Sequence, residues 1–294
     1  MSPNIKYYVV TIAAIFLALG IGIYIGFTLD AHNLLIEQKD DIVTKIEEKF
    51  DYLNDENKDL KEEVSELEKE NNKYNDYIET IYSSVIKDRL KNINVAIVET
   101  NDDYVYSGIG KTLELAGANV ASITTIKDRY LSEELLEKIN NSLPESESIK
   151  DNLIEGGVIN LTEGIIKGEK NELMQKLREN DAVNFVGNYD IPIDFVIIAG
   201  GTESKESNNI SQIDKNIIEV AKGLEVPIIG IEKEKVNYSY TEGYKDYRIS
   251  TVDNVDSTIG KTALILSMEG RPGNYGVKPG AEELLPNLDS NISE

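Results

Sequence analysis

Apolar residues recur at alternating intervals of three and four positions through the highly charged stretch from Ile36 to Val85. This spacing is typical of a left-handed coiled coil, in which two apolar positions of each heptad face a partner helix. The first position holds Ile36, Val43, Phe50, Asn57, Val64, Asn71, Ile78 and Val85, and the second holds Ile46, Leu53, Leu60, Leu67, Tyr74 and Ile81. β-Branched residues at the first position and leucine at the second favour two parallel strands. The alternative is a single amphipathic helix that lies on its own domain.

Asn57 and Asn71 interrupt this apolar seam. A buried asparagine amide is satisfied best by the same asparagine of an aligned partner. The two residues are therefore predicted to select the register and the dimeric state of a parallel homodimer, at some cost in stability.

The segment before the seam is apolar and carries no charge from Tyr7 to Leu29, which is the length needed to cross a bilayer. We predict an uncleaved membrane anchor over residues 7–29; the alternative is a cleaved signal peptide, whose apolar core would be shorter. Lys6 precedes the segment and acidic residues follow it, so the positive-inside tendency predicts that everything after the anchor lies outside the cytoplasm.

Small residues recur every fourth position in the anchor, at Ala14, Ala18, Gly22 and Gly26. They predict one flat stripe on which two membrane helices pack closely. The alternative is that glycine and alanine are simply common in membrane helices. A predicted coiled coil close behind the anchor favours the packing interpretation.

Short apolar runs alternate with helical stretches from Asn94 onward. The pattern predicts strands at 94–100, 120–123, 195–199, 226–231 and 248–252, with a mostly helical stretch of about 70 residues between the second and the third. Ser132 and Ser257 are predicted helix caps. Such alternation is typical of a doubly wound, mostly parallel α/β head of the Rossmann or flavodoxin-like kind. The predicted domains are an anchor (1–30), a coiled-coil stalk (31–91), the head (92–270) and a C-terminal extension with an acidic tail (271–294).

The chain of 294 residues has a net charge of −23, which argues against binding to nucleic acid. It has no cysteine, and therefore neither a disulfide nor a thiolate metal site. Its single histidine, His32, lies beside the anchor and far from the head in sequence, so no nucleophile and base can be paired. We predict no catalytic, cofactor or metal-binding residue and hence no enzyme.

Two segments end in the Gly-Lys-Thr of a phosphate loop, at Gly110 and Gly260. The motif also requires a glycine five positions earlier, where this chain has Val105 and Val255. We interpret both segments as helix starts.

A ligand site in the head would lie at the carboxyl ends of the strands, where the strand order reverses. The loops after the first and third predicted strands supply its candidate residues, namely Thr100, Asn101, Asp102 and Tyr104 opposite Gly200, Gly201 and Thr202. For the glycines, the alternative is a tight turn. Asp253 and Asp256 after the last strand are a further pair, which could bind a hard cation or serve as acid and base. The alternative is that they cap a helix and tie a turn.

The N-terminal segment from Lys6 to Gly22, continuing into a heptad stalk, resembles the copper transport protein B (MctB-like) family of bacterial envelope proteins. The C-terminal end resembles the family's closing signature in the segments 250–256, 260–266 and 275–281 and in Leu284-Leu-Pro286. The resemblance implies copper transport or copper homeostasis, and copper is a possible ligand on that ground alone. Copper(I) prefers cysteine, methionine or histidine, and this chain has no cysteine, one histidine and three methionines.

Three functions remain open from the sequence. The first is a non-enzymatic, membrane-anchored dimer that recruits or regulates another envelope or cell-wall protein. The second is copper transport or homeostasis, and the third is a head that binds a small ligand.

Overall fold

A computed structural model describes residues 5–106, 108–205 and 209–287, apart from the side chains of residues 5, 30–38, 40 and 41. Its first element is a single helix, α1 (Ile5–Ile86). Within α1, the 24 residues Lys6–Leu29 have a mean hydropathy of 2.4 and are long and apolar enough to cross a membrane. The structure therefore contains a helix of the predicted length and apolarity over this segment. The side chains of His32 and Ile36 and the residues Met1, Ser107 and 288–294 lie outside the described part.

The chain divides into two units between Asn75 and Asp76. In the first unit, the seam residues from Val43 to Leu67 and Tyr74 point into solvent, and their large apolar side chains are 51–69% exposed. Asn57 and Asn71 are exposed as well. The stripe residues Ala14, Ala18, Gly22 and Gly26 are also on the exposed surface of α1. Packing of this helix against a second copy remains a prediction.

The second unit contains seven strands and the remaining α-helices of the described chain, with a 3-10 helix at Asp128–Leu131 and a π-helical turn at Ile210–Asp214. The strands are β1 (Asn94–Glu99), β2 (Asn119–Ile126), β3 (Val183–Gly187), β4 (Phe195–Ala199), β5 (Ile228–Ile231), β6 (Ser250–Val252) and β7 (Asn274–Tyr275). The helices are α2 (Gly108–Leu115), α3 (Glu133–Asn140), α4 (Leu153–Lys167), α5 (Glu172–Glu179), α6 (Lys215–Gly223), α7 (Thr241–Asp246) and α8 (Thr258–Met268).

The strands form one sheet in the order β3-β2-β1-β4-β5-β6-β7. Only β3 runs antiparallel, against β2, and all other neighbours are parallel. With β3 set aside, the first five parallel strands follow the 2-1-3-4-5 order of flavodoxin-like folds. This confirms the predicted mixed α/β class with a mostly parallel sheet.

Residues of the central strands alternate between two hydrophobic clusters on opposite faces of the sheet. Val196 and Ile198 pack with α4 and α6 on one face, while Ile197 and Ala199 pack with α2 and α8 on the other. The second cluster also includes Ile86 from the last turn of α1, which is fully buried. Tyr82 and Val85 pack against the same cluster, so Val85, a predicted seam residue, contacts the head.

Several helix boundaries follow from local signals in the sequence. The Ser132 and Ser257 side chains accept hydrogen bonds from the amides of Leu135 and Gly260, which confirms both predicted caps. The two Gly-Lys-Thr segments lie at the starts of α2 and α8, as we interpreted them.

Other elements were not predicted. The stretch between the second and third predicted strands contains β3, so the Phe195–Ala199 run is the fourth strand and not the third. β3 was not predicted because only Val183 of its five residues is buried. Its hydrophobic pattern is therefore weak, as is typical of an edge strand. The short helix α7 and strand β7 were also missed.

Candidate functional site

The strand order reverses between β1 and β4, and the loops after these strands lie side by side at the carboxyl edge of the sheet. Asn101 donates a hydrogen bond from Nδ2 to the Gly201 carbonyl oxygen at 2.8 Å. Tyr106, which follows the same loop, donates from its hydroxyl to the Gly200 carbonyl oxygen at 2.6 Å. The structure thus brings together the two loops named from the sequence, and direct hydrogen bonds join them. We call this place the switch-point crevice.

Asp103, which the sequence analysis did not name, makes further contacts between the two loops. Its Oδ2 accepts a hydrogen bond from the Thr202 hydroxyl at 2.6 Å and another from the Glu203 amide at 2.9 Å. The neighbouring Asp102 is exposed. Tyr104 accepts a hydrogen bond from the Asn237 amide at 3.1 Å, so a third loop, after β5, also joins the crevice.

Gly200 and Gly201 are needed for space and for backbone conformation. A Cβ added to Gly200 would lie 2.1 Å from the Tyr244 hydroxyl oxygen. Gly201 has a φ of +85°, which glycine adopts readily and residues with a Cβ rarely do. These observations favour the tight-turn interpretation, and ligand binding by the two glycines remains a prediction.

Besides Asp253, three buried carboxylates of the described chain lie at this edge, and sequence reasoning missed all three. The Glu99 side chain accepts hydrogen bonds from the Tyr106 amide at 2.9 Å and the Thr125 hydroxyl at 2.6 Å. Glu232 is fully buried and pairs with Lys278, with 2.6 Å between Oε2 and Nζ. Asp214, also fully buried, is the third. Carboxylates at such depth require partners, because burial disfavours their charged form.

Asp214 is only partly satisfied. Its Oδ1 accepts a hydrogen bond from the Tyr244 hydroxyl at 2.6 Å, whereas its Oδ2 has no partner among the described residues. Burial raises the pKa of the Asp214 carboxyl to about 6. Burial, reinforced by the Asp214 charge, raises the pKa of Tyr244 well above its usual value, so this phenol remains a hydrogen-bond donor.

We expect Asp214→Asn to stabilise the head at pH 7.5 and to leave it little changed at pH 4. The raised pKa of Asp214 favours the protonated folded state, so the stability that this group contributes is lost as the pH rises from about 4 through about 6. A shift of about 2 pKa units corresponds to about 3 kcal/mol, and asparagine keeps the Oδ1 acceptor while removing the charge. Urea unfolding of both proteins between pH 4 and 8 measures the difference.

The control for this experiment is Asp246→Asn, at an exposed position on α7, which should leave the pH profile unchanged. A gain in stability from Asp214→Asn that is equal at pH 4 and pH 7.5 would contradict our account.

Asp253 and Asp256 accept hydrogen bonds from backbone amides of segments more than 20 residues away in the sequence. The Asp253 carboxylate accepts hydrogen bonds from the amides of Val277 at 2.8 Å and Lys278 at 2.9 Å, which fastens the C-terminal extension to the end of β6. Asp256 accepts one from the Glu234 amide at 2.8 Å. Within the described part of the chain, no group of three or more His, Cys, Asp or Glu residues could hold a metal ion.

The fold and the N-terminal helix define a mixed α/β protein with one helix that is suited to membrane anchoring. Residues 4–286 match the family described as "Copper transport outer membrane protein, MctB". Two similar proteins are named "Copper transporter MctB", from Mycobacterium tuberculosis and Mycobacterium bovis; each is 22% identical over 319 residues, covering 95% of this chain and 97% of the relative. The chain belongs to the MctB family, which confirms the resemblance drawn from its two ends.

Proposed function

We propose that this chain is a single-pass, membrane-anchored protein that forms a parallel homodimer through its coiled coil and acts without enzymatic activity. Its head lies outside the cytoplasm and recruits or regulates a protein partner in an envelope or cell-wall process. The observation that carries the proposal is the exposed seam on α1, where apolar side chains from Val43 to Leu67 are 51–69% exposed in the single chain. Water-exposed leucine, valine and phenylalanine at heptad spacing are buried when a second copy covers them.

Replacing both Asn57 and Asn71 with isoleucine should raise the melting temperature of the stalk and loosen its control of oligomeric state. Two buried amides would become apolar contacts, and the seam would lose the asparagine pairs that select its register and its dimeric state. A peptide of residues 31–81 is suitable, because it ends before Ile86, which is buried in the head. Light scattering and thermal melting measure the two effects.

The matched control is Asn54→Ile, also in α1 but outside both seam positions. It should not change the oligomeric state. If the unmodified peptide is a monomer at tens of micromolar, or if cysteines introduced at Asn57 indicate antiparallel pairing, the dimer proposal fails.

Recruitment is tested by crosslinking intact cells and purifying the full chain from solubilised membranes. We expect one envelope protein to co-purify in a defined ratio and to be lost from a variant that lacks the head. A chain that brings down only itself, together with changed copper tolerance when it is deleted, would reject recruitment in favour of copper handling.

Copper transport or homeostasis is the alternative, and the family description and the relatives' names favour it. The two described methionines do not form one copper site, because Met174 and Met268 are buried in separate clusters on opposite faces of the sheet. Titrating the full chain with copper(I) under reducing conditions distinguishes the functions. Affinity beyond that of an unrelated acidic protein would support copper handling.

A further inference from the structure

A cleft of 570 Å³ opens at the amino edge of the sheet, where β4 and β5 begin, whereas the switch-point crevice lies at the carboxyl edge. The last turns of α6 and α8 form other parts of its wall. Its volume falls within the range of about 300 to 1,000 Å³ that is typical of small-molecule sites. We call it the amino-edge cleft, and its principal lining residues are Phe195, Lys222, Ile228, Arg248, Ile249 and Met268.

The wall of the amino-edge cleft is mostly apolar. Ile93 and Phe195 are only half-buried, and Val226 is also partly exposed. These side chains come from segments before and at the starts of three different strands, so the apolar surface is built by the fold and not by one local run. An aliphatic chain placed there would remove this surface from water.

Two cations and one acidic residue line the cleft among the described residues. The acidic residue is Asp194, and its Oδ2 already accepts a hydrogen bond from the Asn94 amide at 2.8 Å. Lys222 donates from Nζ to the Tyr247 carbonyl oxygen and keeps two further N–H groups. The Arg248 side chain forms no hydrogen bond or ion pair within the described chain, and it is exposed. In a chain with a net charge of −23, this local excess of positive charge is suited to an anion.

Ser267 supplies an independent observation. It lines the amino-edge cleft and is only 7% exposed. Its Oγ has no hydrogen-bond partner among the described residues. Buried hydroxyl groups usually have a hydrogen-bond partner, so Ser267 adds an unsatisfied polar position to the wall of this cleft.

We propose that the amino-edge cleft binds a single-chain aliphatic carboxylate. The hydrocarbon chain lies along Phe195, Ile249 and Met268, and the carboxylate is held by Arg248, with Lys222 beside it. Guanidinium and carboxylate form charge-assisted pairs, so a neutral molecule with the same chain binds more weakly.

The test uses the full chain in phosphatidylcholine nanodiscs and a dodecanoate probe that carries a photoreactive diazirine near the end of its chain. After irradiation, mass spectrometry locates the labelled residues. We expect saturable labelling at the cleft, on Phe195, Ile249 or Met268, that unlabelled dodecanoate prevents. Dodecanol should compete at least about tenfold less well, because loss of a charge-assisted hydrogen bond costs about 1.5 to 3 kcal/mol.

Arg248→Glu should weaken labelling at the cleft at least about tenfold, whereas Lys111→Glu, at an exposed position on α2, should not change it. An unchanged melting temperature of Arg248→Glu separates loss of binding from loss of folding. Labelling that is confined to α1 or is not saturable would overturn the proposal. Equal competition by dodecanol would also overturn it, and this comparison holds even when the variant does not fold.

Discussion

Lys278→Met should lower the free energy of unfolding of the head by about 3 to 5 kcal/mol. Lys278 lies in the C-terminal extension, and its Nζ is 2.6 Å from Oε2 of the fully buried Glu232. Methionine has a similar length but no charge, so the Glu232 carboxylate would remain buried without its cation. The Ser239 hydroxyl and the Tyr240 amide also donate to Glu232, but neither neutralises its charge. Urea unfolding of the full chain at pH 7 measures the loss.

Lys245→Met is the matched control, because Lys245 also pairs with an acid of the extension. Its Nζ lies 3.5 Å from Glu282 Oε1, and the two side chains are 33% and 62% exposed. We expect a loss of about 1 kcal/mol or less, since exposed ion pairs contribute little. The double variant Glu232→Gln with Lys278→Met should recover much of the stability that Lys278→Met loses. Equal losses from the two lysine variants would contradict the importance of the buried pair.

Gly260→Ala is expected to destabilise the head by about 3 kcal/mol, at the upper end of the usual cost of overpacking. The added Cβ would lie 2.0 Å from the backbone oxygen of Asn254. That oxygen also accepts hydrogen bonds from the Ser257 amide and hydroxyl, both at 2.9 Å, so it cannot move away without breaking them. The midpoint of thermal unfolding measures the effect.

Gly110→Ala provides the comparison, because it changes the glycine of the other Gly-Lys-Thr segment. An added Cβ at Gly110 meets no atom within 4 Å. Alanine at this helical position should raise stability by about 0.5 to 1 kcal/mol. Two segments with the same local sequence are therefore expected to respond in opposite directions. Similar responses would show that the approach of Gly260 to Asn254 does not constrain the fold.

Local patterns in the sequence were sufficient to predict those helices and strands whose signals lie within a few neighbouring residues. The uncharged stretch from Tyr7 to Leu29 identified the apolar helix, and the capping serines Ser132 and Ser257 marked two helix starts. The continuous apolar run Phe195–Ala199 identified a central strand because both of its faces are buried. These features depend on side-chain polarity and backbone preference at neighbouring positions.

The location of the crevice was also predictable from the sequence, but its chemistry was not. Alternating strands and helices imply a switch point, and its two loops were named correctly by position. Asp102 and Tyr104 were preferred to Asp103, because adjacent acids in a loop look alike until their partners are known. Asp103 differs from Asp102 in that it accepts a hydrogen bond from Thr202, which lies almost 100 positions later in the chain.

By itself, the sequence determined the apolar helix, the heptad seam, the α/β class and the family. Only the tertiary structure decided that Glu99, Asp214 and Glu232 are buried, since an acid is ordinarily assigned to the surface. Glu232 is stabilised by Lys278, 46 residues further along the chain, and Asp214 by Tyr244, 30 residues further. The edge strand β3 likewise exists through its pairing with β2. Such features depend on residues that only folding brings into contact, so no local sequence pattern predicts them.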